Sequence, residues 1–231
     1  MKEGIKSYQR LLFHALIILI CMLPIFVIPD VYAEGKATNE SLDEKVEIFL
    51  ESRRDTWRDM NVPETDGEVL YDLIVKNNYK NALEIGTSTG RSTIWIAWAL
   101  SKTGGKVITI EINEERYREA LANFKEAGLS DFIDARLADA HTLVKEIKGP
   151  FDFVFNDADK SWYTNYFIDV HPKLRIGGCY TAHNISDTKS DRSWAKGVDE
   201  FYEYIKSLPN METTLDSSGE GISISYKISA E

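Results

Sequence analysis

The chain has 231 residues, of which 43% are hydrophobic, and a formal net charge of −10 at pH 7. That length suits one sizeable α/β domain but is short for two. The acidic balance argues against a nucleic-acid partner, because binding to nucleic acid calls for a basic stripe on the protein. The only two cysteines, Cys21 and Cys179, cannot make a disulfide framework.

The first 33 residues differ in composition from the rest. Basic residues, the last of them Arg10, precede a nearly continuous apolar run from Leu11 to Ile28, and Val31-Tyr32-Ala33 then offers a cleavage site. This pattern predicts a secretory signal cut after Ala33. An uncleaved membrane anchor is the alternative, since the apolar run is just long enough to span a bilayer. Both interpretations place the domain outside the cytoplasm, in the periplasm or the extracellular space, because the positive flank stays inside.

The rest of the chain divides into two parts. Residues 34–60 are predicted to form a polar linker and an N-terminal helix, which Ser41 and Glu44 begin with a capping box. Residues 61–231 are predicted to form the main domain. The segment from Met60 to Gly67 is predicted to be a loop, and the apolar residues between Val69 and Ile74 predict a second helix.

An alternation of strands and helices follows. Strands are predicted at 81–86, 106–111, 132–137, 151–157 and 176–182, and helices near 91–101, 114–127, 140–147, 161–173 and 192–207. Two further strands, residues 211–215 and 222–228, follow each other without a helix, and the last alternates as an antiparallel strand does. The predicted fold is α/β: a Rossmann-like methyltransferase fold whose mostly parallel seven-stranded sheet has an antiparallel last strand and helices on both faces.

The stretch from Leu83 to Ser92 joins the first predicted strand to an apolar helix through a glycine-rich turn. Strand, turn and helix N-terminus in this order bind nucleotide-like ligands through backbone N–H groups. The small residues at Gly86, Ser88 and Gly90 permit close approach of a ligand. The dinucleotide fingerprint G-x-G-x-x-G is not met, because Ser88 and Arg91 replace its second and third glycines.

Two acids indicate which ligand this turn binds. Glu84 lies two residues before the first glycine, where it suits a cationic ligand rather than a pyrophosphate. Glu111 ends the second predicted strand and is placed to accept hydrogen bonds from both ribose hydroxyls. The two acids favour S-adenosylmethionine, which carries an ammonium and a sulfonium. The alternative is an α/β turn that binds no ligand.

Polar residues also end two later strands. Asp157 follows the fourth strand, and His183 and Asn184 follow the fifth, so all three are expected at one edge of the sheet, in a metal site of oxygen and imidazole ligands. Lys160 is expected nearby, as a base if its pKa is lowered. The alternatives are helix capping by Asp157 and Asp159, and a hydrogen-bonded loop histidine.

These motifs resemble the cation-dependent O-methyltransferases of the catechol and caffeoyl-coenzyme A type. The resemblance covers roughly Met60 to Asn184. It rests on Met60-Asn61-Val62, the Glu84 to Ser92 motif, Glu111, Ala138-Asp139-Ala140, Asp157-Ala158-Asp159-Lys160 and Asn184. It implies that the methionine end of the donor is held by Val62, Glu84, Gly86 and Ser92, the ribose by Glu111, and the adenine by Asp139 and Ala140. It also implies that Asp157 contacts the donor and, with Asn184, binds the ion, while Lys160 takes the proton from the attacking hydroxyl.

The chain departs from the family pattern at two places. His183 stands where the family usually has Asp, which leaves the ion open among magnesium, manganese, iron and zinc. No residue matches securely the acid that grips a catechol in the mammalian enzyme; a loose alignment offers Lys196 and Asp199. The acceptor therefore stays open.

The function predicted on this basis is methyl transfer from S-adenosylmethionine to a hydroxyl of a small catechol-like or vicinal-diol acceptor, with a divalent metal. Two alternatives are a metal-independent methyltransferase with His183 as base, and a catalytically silent donor-binding module. The expected partners are a small hydroxylated acceptor, no nucleic acid, and a membrane only through the N-terminal segment; a homodimer is left open.

Overall fold

The computed structural model describes residues 41–57, 60–188 and 195–230. Within these ranges no helix has the length and apolar character needed to cross a membrane. The predicted export segment, residues 1–33, lies outside them, as does nearly all of the polar linker.

The described residues contain a seven-stranded sheet with the strand order β3-β2-β1-β4-β5-β7-β6. The strands are β1 Asn81–Ile85, β2 Lys106–Glu111, β3 Ile133–Leu137, β4 Phe151–Asn156, β5 Leu174–His183, β6 Met211–Asp216 and β7 Ile222–Lys227. β7 pairs antiparallel with both β5 and β6, whereas β1 to β5 are parallel. The predicted fold class is thereby confirmed.

Seven α-helices cover the sheet in the described part of the chain. They are α1 Leu42–Arg53, α2 Glu64–Asn77, α3 Arg91–Thr103, α4 Glu114–Glu126, α5 Ala140–Glu146, α6 Tyr163–Val170 and α7 Ala195–Lys206. Buried side chains of α1 to α4 pack on one face, and those of α5 to α7 on the other. β4 is buried along its whole length, as a strand covered on both faces should be.

Two boundaries differ from those predicted. The segment from Met60 to Gly67 is not wholly a loop, because α2 begins at Glu64. Gly67 is part of that helix and packs closely against the ring of Trp95. The single helix predicted at residues 161–173 is wrong as well: α6 lies between two short 3₁₀ segments, the second of which contains Pro172. The capping box of Ser41 and Glu44 is confirmed.

The centre of the sheet sets the position of the site. β1 lies between β2 and β4, so the chain runs outward in one direction through β2 and β3 and in the other through β4 and β5. Ligands of open α/β sheets bind in the crevice at such a reversal, beyond the carboxyl ends of the strands. Three turns meet there: those after β1, β4 and β5.

Candidate active site

The turn after β1 has the backbone geometry that a closely approaching ligand requires. Gly86, Ser88 and Gly90 all have positive φ, at 100°, 49° and 98°. At Gly86 a Cβ would lie 2.7 Å from the carbonyl oxygen of Asp157, so only glycine allows the ends of β1 and β4 to meet here. The turn leads directly into the N-terminus of α3, which begins at Arg91.

Glu84 is fully buried behind this turn. Its carboxylate accepts hydrogen bonds from the hydroxyls of Ser92 (2.6 Å), Thr109 (2.6 Å) and Thr93. Burial raises the pKa of Glu84 to about 7, although these hydroxyls favour the ionised form. The resemblance pairs Glu84 with Ser92, and the structure brings the two together.

Glu111, at the end of β2, is held against the same turn. Its Oε2 accepts a hydrogen bond from the backbone N–H of Ser88 (2.7 Å), and its Oε1 accepts one from Asn113 (2.8 Å). Each carboxylate oxygen can accept a further bond, so the group remains able to bind two hydroxyls. The contact of Glu111 with a ribose itself stays a prediction.

A cavity of about 950 Å³ opens over these turns. The predicted site residues that line it are Gly86, Glu111, Asp139, Ala140, Asp157, Lys160, His183 and Asn184. Val62, Glu84 and Ser92 are not part of its lining, so their predicted contacts with the donor remain predictions. Other lining residues include Trp57, Met60, Arg91, Arg116, His141, Tyr166 and Glu220.

Four charged side chains from different elements meet at one part of the cavity, which we call its charged end: Asp157, Lys160 and His183 line it, and Asp66 lies buried behind His183. Nζ of Lys160 contacts Oδ1 of Asp157 and donates a hydrogen bond to the hydroxyl of Tyr163 (2.7 Å). Nδ1 of His183 lies 3.4 Å from the same Asp157 oxygen, and Nε2 of His183 lies 2.7 Å from Oδ2 of Asp66. Burial alone would raise the pKa of Asp157, but Lys160 and His183 outweigh it and hold the pKa below its usual range.

His141 and Tyr166 make another part of the cavity lining aromatic. Asp139 caps α5 by accepting a hydrogen bond from the backbone N–H of His141 (2.9 Å). The ring of His141 lies 4.4 Å from that of Trp162 and 5.6 Å from that of Tyr166, measured between centroids. A flat heterocycle suits such a wall, because aromatic faces stack on one another. The sequence singled out Asp139 but missed His141, although the two are close in sequence.

These observations together fit S-adenosylmethionine. The glycine turn allows close backbone approach, Glu111 offers acceptors for the ribose, and the aromatic wall offers a surface for a base. In addition, Oγ of Ser88 is buried in the lining with no partner among the described residues. A buried unpaired hydroxyl is costly unless a ligand supplies its partner.

A divalent ion fits the donor set at the charged end. Oδ1 of Asp157 and Nδ1 of His183 are near enough to belong to one coordination sphere, and Asn184 supplies an amide on the same cavity wall. An ion would have to displace the Lys160 ammonium from Oδ1 of Asp157, and any proton from Nδ1 of His183. Within the described ranges, no group of three His, Cys, Asp or Glu side chains forms a metal centre, so the third protein ligand would be the amide of Asn184.

This strand order, with a cavity over the glycine-rich turn, defines a class I methyltransferase of Rossmann-like fold. The chain belongs to the O-methyltransferase family, whose model matches residues 35–228. It is a SAM-dependent O-methyltransferase.

Relatives with known names support this assignment. Caffeoyl-CoA O-methyltransferase 1 of Arabidopsis thaliana is 31% identical over 208 residues, which cover 82% of this chain and 79% of the relative. Catechol O-methyltransferase of Niastella koreensis is 41% identical over 130 residues, 54% of this chain and 58% of the relative. The structure of an O-methyltransferase from Bacillus cereus in complex with SAH has a TM-score of 0.67 and 27% identity, covering 84% of this chain and 94% of that one.

Proposed function

We propose that this protein transfers the methyl group of S-adenosylmethionine to one oxygen of a small catechol-like acceptor, with help from a divalent ion. The observation that carries the proposal is the shared cavity. Residues of the turn after β1 and Glu111 line it together with Asp157, Lys160 and His183. Both reactants are therefore held in one enclosure, which is the chief requirement for a displacement reaction between them.

The charge of the site favours a free catechol over a coenzyme A thioester as acceptor. The acids in the described lining are Glu111, Asp139, Asp157, Asp159 and Glu220, and the cations are Arg91, Arg116, Lys160 and, with its raised pKa of about 9, His183, so the acids remain in excess. With a net charge of −10 for the chain, this surface attracts a polyanion poorly. The names of the relatives include both catechol and caffeoyl-CoA enzymes, so either acceptor belongs to the family's range.

In the proposed reaction the bound donor supplies a methyl group on a positively charged sulfur, and a bound ion supplies positive charge beside the acceptor oxygen. Asp157, His183 and Asn184 would hold the ion. Displaced from Oδ1 of Asp157 by the ion, Lys160 would first release one proton to solvent. As a neutral amine, its Nζ, held by the hydroxyl of Tyr163, would then accept the proton of the attacking hydroxyl. The cavity walls align the acceptor with the donor and exclude water.

A pair of isomeric acceptors tests the proposal. Catechol and resorcinol carry the same two hydroxyls, but only those of catechol are adjacent. Incubation with S-adenosylmethionine labelled in its methyl group should yield labelled monomethyl catechol and no resorcinol product. Equal transfer to both would contradict a vicinal acceptor, and transfer to neither would contradict the proposed reaction. Rapid transfer to caffeoyl-CoA but not to catechol would reverse the choice of acceptor.

The affinity for a divalent ion is expected to rise with pH. Burial alone would lower the pKa of His183, but the carboxylates of Asp157 and Asp66 outweigh it and raise the pKa to about 9. Below that pH an ion must displace the proton from Nδ1. The apparent affinity for Mn²⁺ should therefore increase about tenfold per unit between about pH 7 and pH 9, as calorimetric titration would measure.

His183→Asp is the matched control for this ion site. Because this variant lacks the imidazole that titrates at about pH 9, the rise in affinity between pH 7 and pH 9 should become much smaller, and Mg²⁺ should compete better with Mn²⁺. Wild-type activity, after removal of metal, should return better with manganese, iron or zinc than with magnesium. A Mn²⁺ affinity independent of pH would contradict His183 as a ligand. Full activity after exhaustive chelation would contradict a role for the ion in the reaction. The assignment of methyl transfer would still stand.

We also propose that the domain is exported by residues 1–33. Fused to a reporter enzyme that is active only outside the cytoplasm, these residues should give reporter activity, and the mature chain should begin at Glu34. Leu16→Arg with Leu19→Arg is the control, because two charges in the apolar run should abolish export. A reporter confined to the cytosol with the natural segment would contradict the proposal. An uncut chain with an active reporter would identify a membrane anchor.

A further inference from the structure

Asp66 is a buried acid that lies next to the cavity without lining it. It occupies the first turn of α2, and its relative exposure is 0%. A buried carboxylate is costly unless hydrogen bonds compensate for the lost water. The hydrogen-bond partners of Asp66 therefore indicate its role.

Both hydrogen bonds of Asp66 go to groups near the acceptor end of the cavity. Its Oδ2 accepts one from Nε2 of His183, at 2.7 Å, and one from the backbone N–H of Glu220, at 3.0 Å. His183 ends β5, and Glu220 belongs to the turn between β6 and β7. Both side chains line the cavity. Asp66 thus joins α2 to two separate pieces of the cavity wall.

The hydrogen bond between Asp66 and His183 determines which ring nitrogen of His183 faces Asp157 in the cavity. Because a carboxylate only accepts hydrogen bonds, Nε2 must be the donor to Asp66. Nδ1 is then the nitrogen that faces Asp157, 3.4 Å away. A carboxylate behind a histidine commonly fixes the ring orientation and the tautomer in this way.

The turn between β6 and β7 is fitted closely around the same carboxylate. At Gly219 a Cβ would lie 2.0 Å from Oδ1 of Asp66, so this residue has no room for a side chain. The next residue, Glu220, places Oε2 3.3 Å from the amide nitrogen of Asn184. Displacement of Asp66 would therefore disturb His183 directly, and Glu220 and Asn184 through the turn.

We propose that Asp66 is a positioning residue for methyl transfer, which holds the His183 ring with Nδ1 toward Asp157 and anchors the Glu220 turn at the acceptor end. This inference rests on the proposed function, since it assigns Asp66 to the acceptor side of that site. It does not require Asp66 to touch either reactant. Among the described residues, the hydrogen bonds of Asp66 go to His183 and Glu220 and not to the turn after β1 or to Glu111.

Two variants disturb this contact from opposite sides. Asp66→Asn replaces the carboxylate by an amide of the same shape, and Gly219→Ala keeps the carboxylate but forces it away. Each should lower turnover of catechol at least about tenfold, the usual cost of losing a residue that orients a histidine ligand. The dissociation constant of S-adenosylmethionine should stay within about twofold of the wild-type value, since the donor end is untouched. Asp72→Asn is the matched control, because Asp72 is an exposed acid of the same helix.

A second readout does not depend on activity. In wild-type protein the Nε2 proton of His183, buried and bonded to a carboxylate, should give a slowly exchanging downfield NMR signal, assigned by its loss in His183→Gln. The signal should disappear or move in Asp66→Asn and Gly219→Ala and should stay in Asp72→Asn. This readout remains valid if wild-type protein methylates no acceptor, a result that would overturn the proposed function alone.

Three results would overturn the positioning role. The first is turnover in Asp66→Asn within about threefold of wild type. The second is an unchanged ring signal in that variant. The third is a loss of donor affinity and thermal stability in parallel with turnover in both variants, which would make Asp66 a residue of the fold only.

Discussion

Replacement of Lys160 by alanine is expected to lower turnover about a hundredfold or more, the usual cost of losing a general base. The reason is the position of Nζ, which lies in the cavity beside Asp157 and is fixed by the Tyr163 hydroxyl at 2.7 Å. Donor affinity should change little, because Glu111 and the glycine turn lie on other strands. Single-turnover transfer to catechol, measured with donor in excess, separates the two quantities.

The variant Lys160→Arg tests whether the reaction needs the side chain at position 160 as a proton acceptor or only as a positive charge. Arginine keeps a cation beside Asp157, but its guanidinium does not give up a proton in proteins, so turnover should stay as low as in the alanine variant. Lys148→Ala, an exposed lysine beyond α5, is the control and should leave turnover unchanged. Activity near wild type in Lys160→Arg would show that only the charge is needed. A loss of less than a few-fold in Lys160→Ala would make His183 the better candidate for the base.

Glu111→Ala is expected to weaken donor binding by about 1–3 kcal/mol, the cost of leaving buried hydroxyls without partners. Glu111 is only 7% exposed, and its carboxylate, which lines the cavity, already accepts the backbone N–H of Ser88, so it is held in a fixed position. Calorimetric titration with S-adenosylmethionine measures the change. Glu115→Ala, in the exposed first turn of α4, should have no effect.

An analogue of the donor tests the same contact from the ligand side. A 2′-deoxy donor should bind wild-type protein more weakly than S-adenosylmethionine, and Glu111→Ala should bind both about equally, since the partner of the hydroxyl is gone. Unchanged affinity in Glu111→Ala would remove the ribose assignment. A fall in thermal stability matching the fall in affinity would assign Glu111 to the turn after β1 rather than to the donor.

The sheet and the donor turn could be predicted from local sequence. Apolar runs that end in acids predicted β2 and β4. The glycines of the turn after β1 predicted the place where a ligand can approach the backbone closely. The predicted ends of the strands lie within two residues of those observed. These features depend on neighbours in the chain, which a pattern records directly.

The contacts around Asp66 could not be predicted in the same way. Asp66 and His183 are 117 positions apart, and nothing in either segment shows that the first turn of α2 reaches the end of β5. Asp66 also fell in a segment predicted to be a loop, because the apolar periodicity of α2 begins only at Val69. The contact between Asp66 and His183 forms only when α2 packs beside the end of β5, so neither segment predicts it alone.

Calorimetric titration of the purified protein with S-adenosylmethionine, with and without Mn²⁺, tests most directly the claim that the turn after β1 and Glu111 form a donor site. We expect one binding site per chain in both conditions, and weaker binding in Glu111→Ala. No detectable binding with or without the ion, or equal binding by wild type and Glu111→Ala, would contradict this assignment of the site.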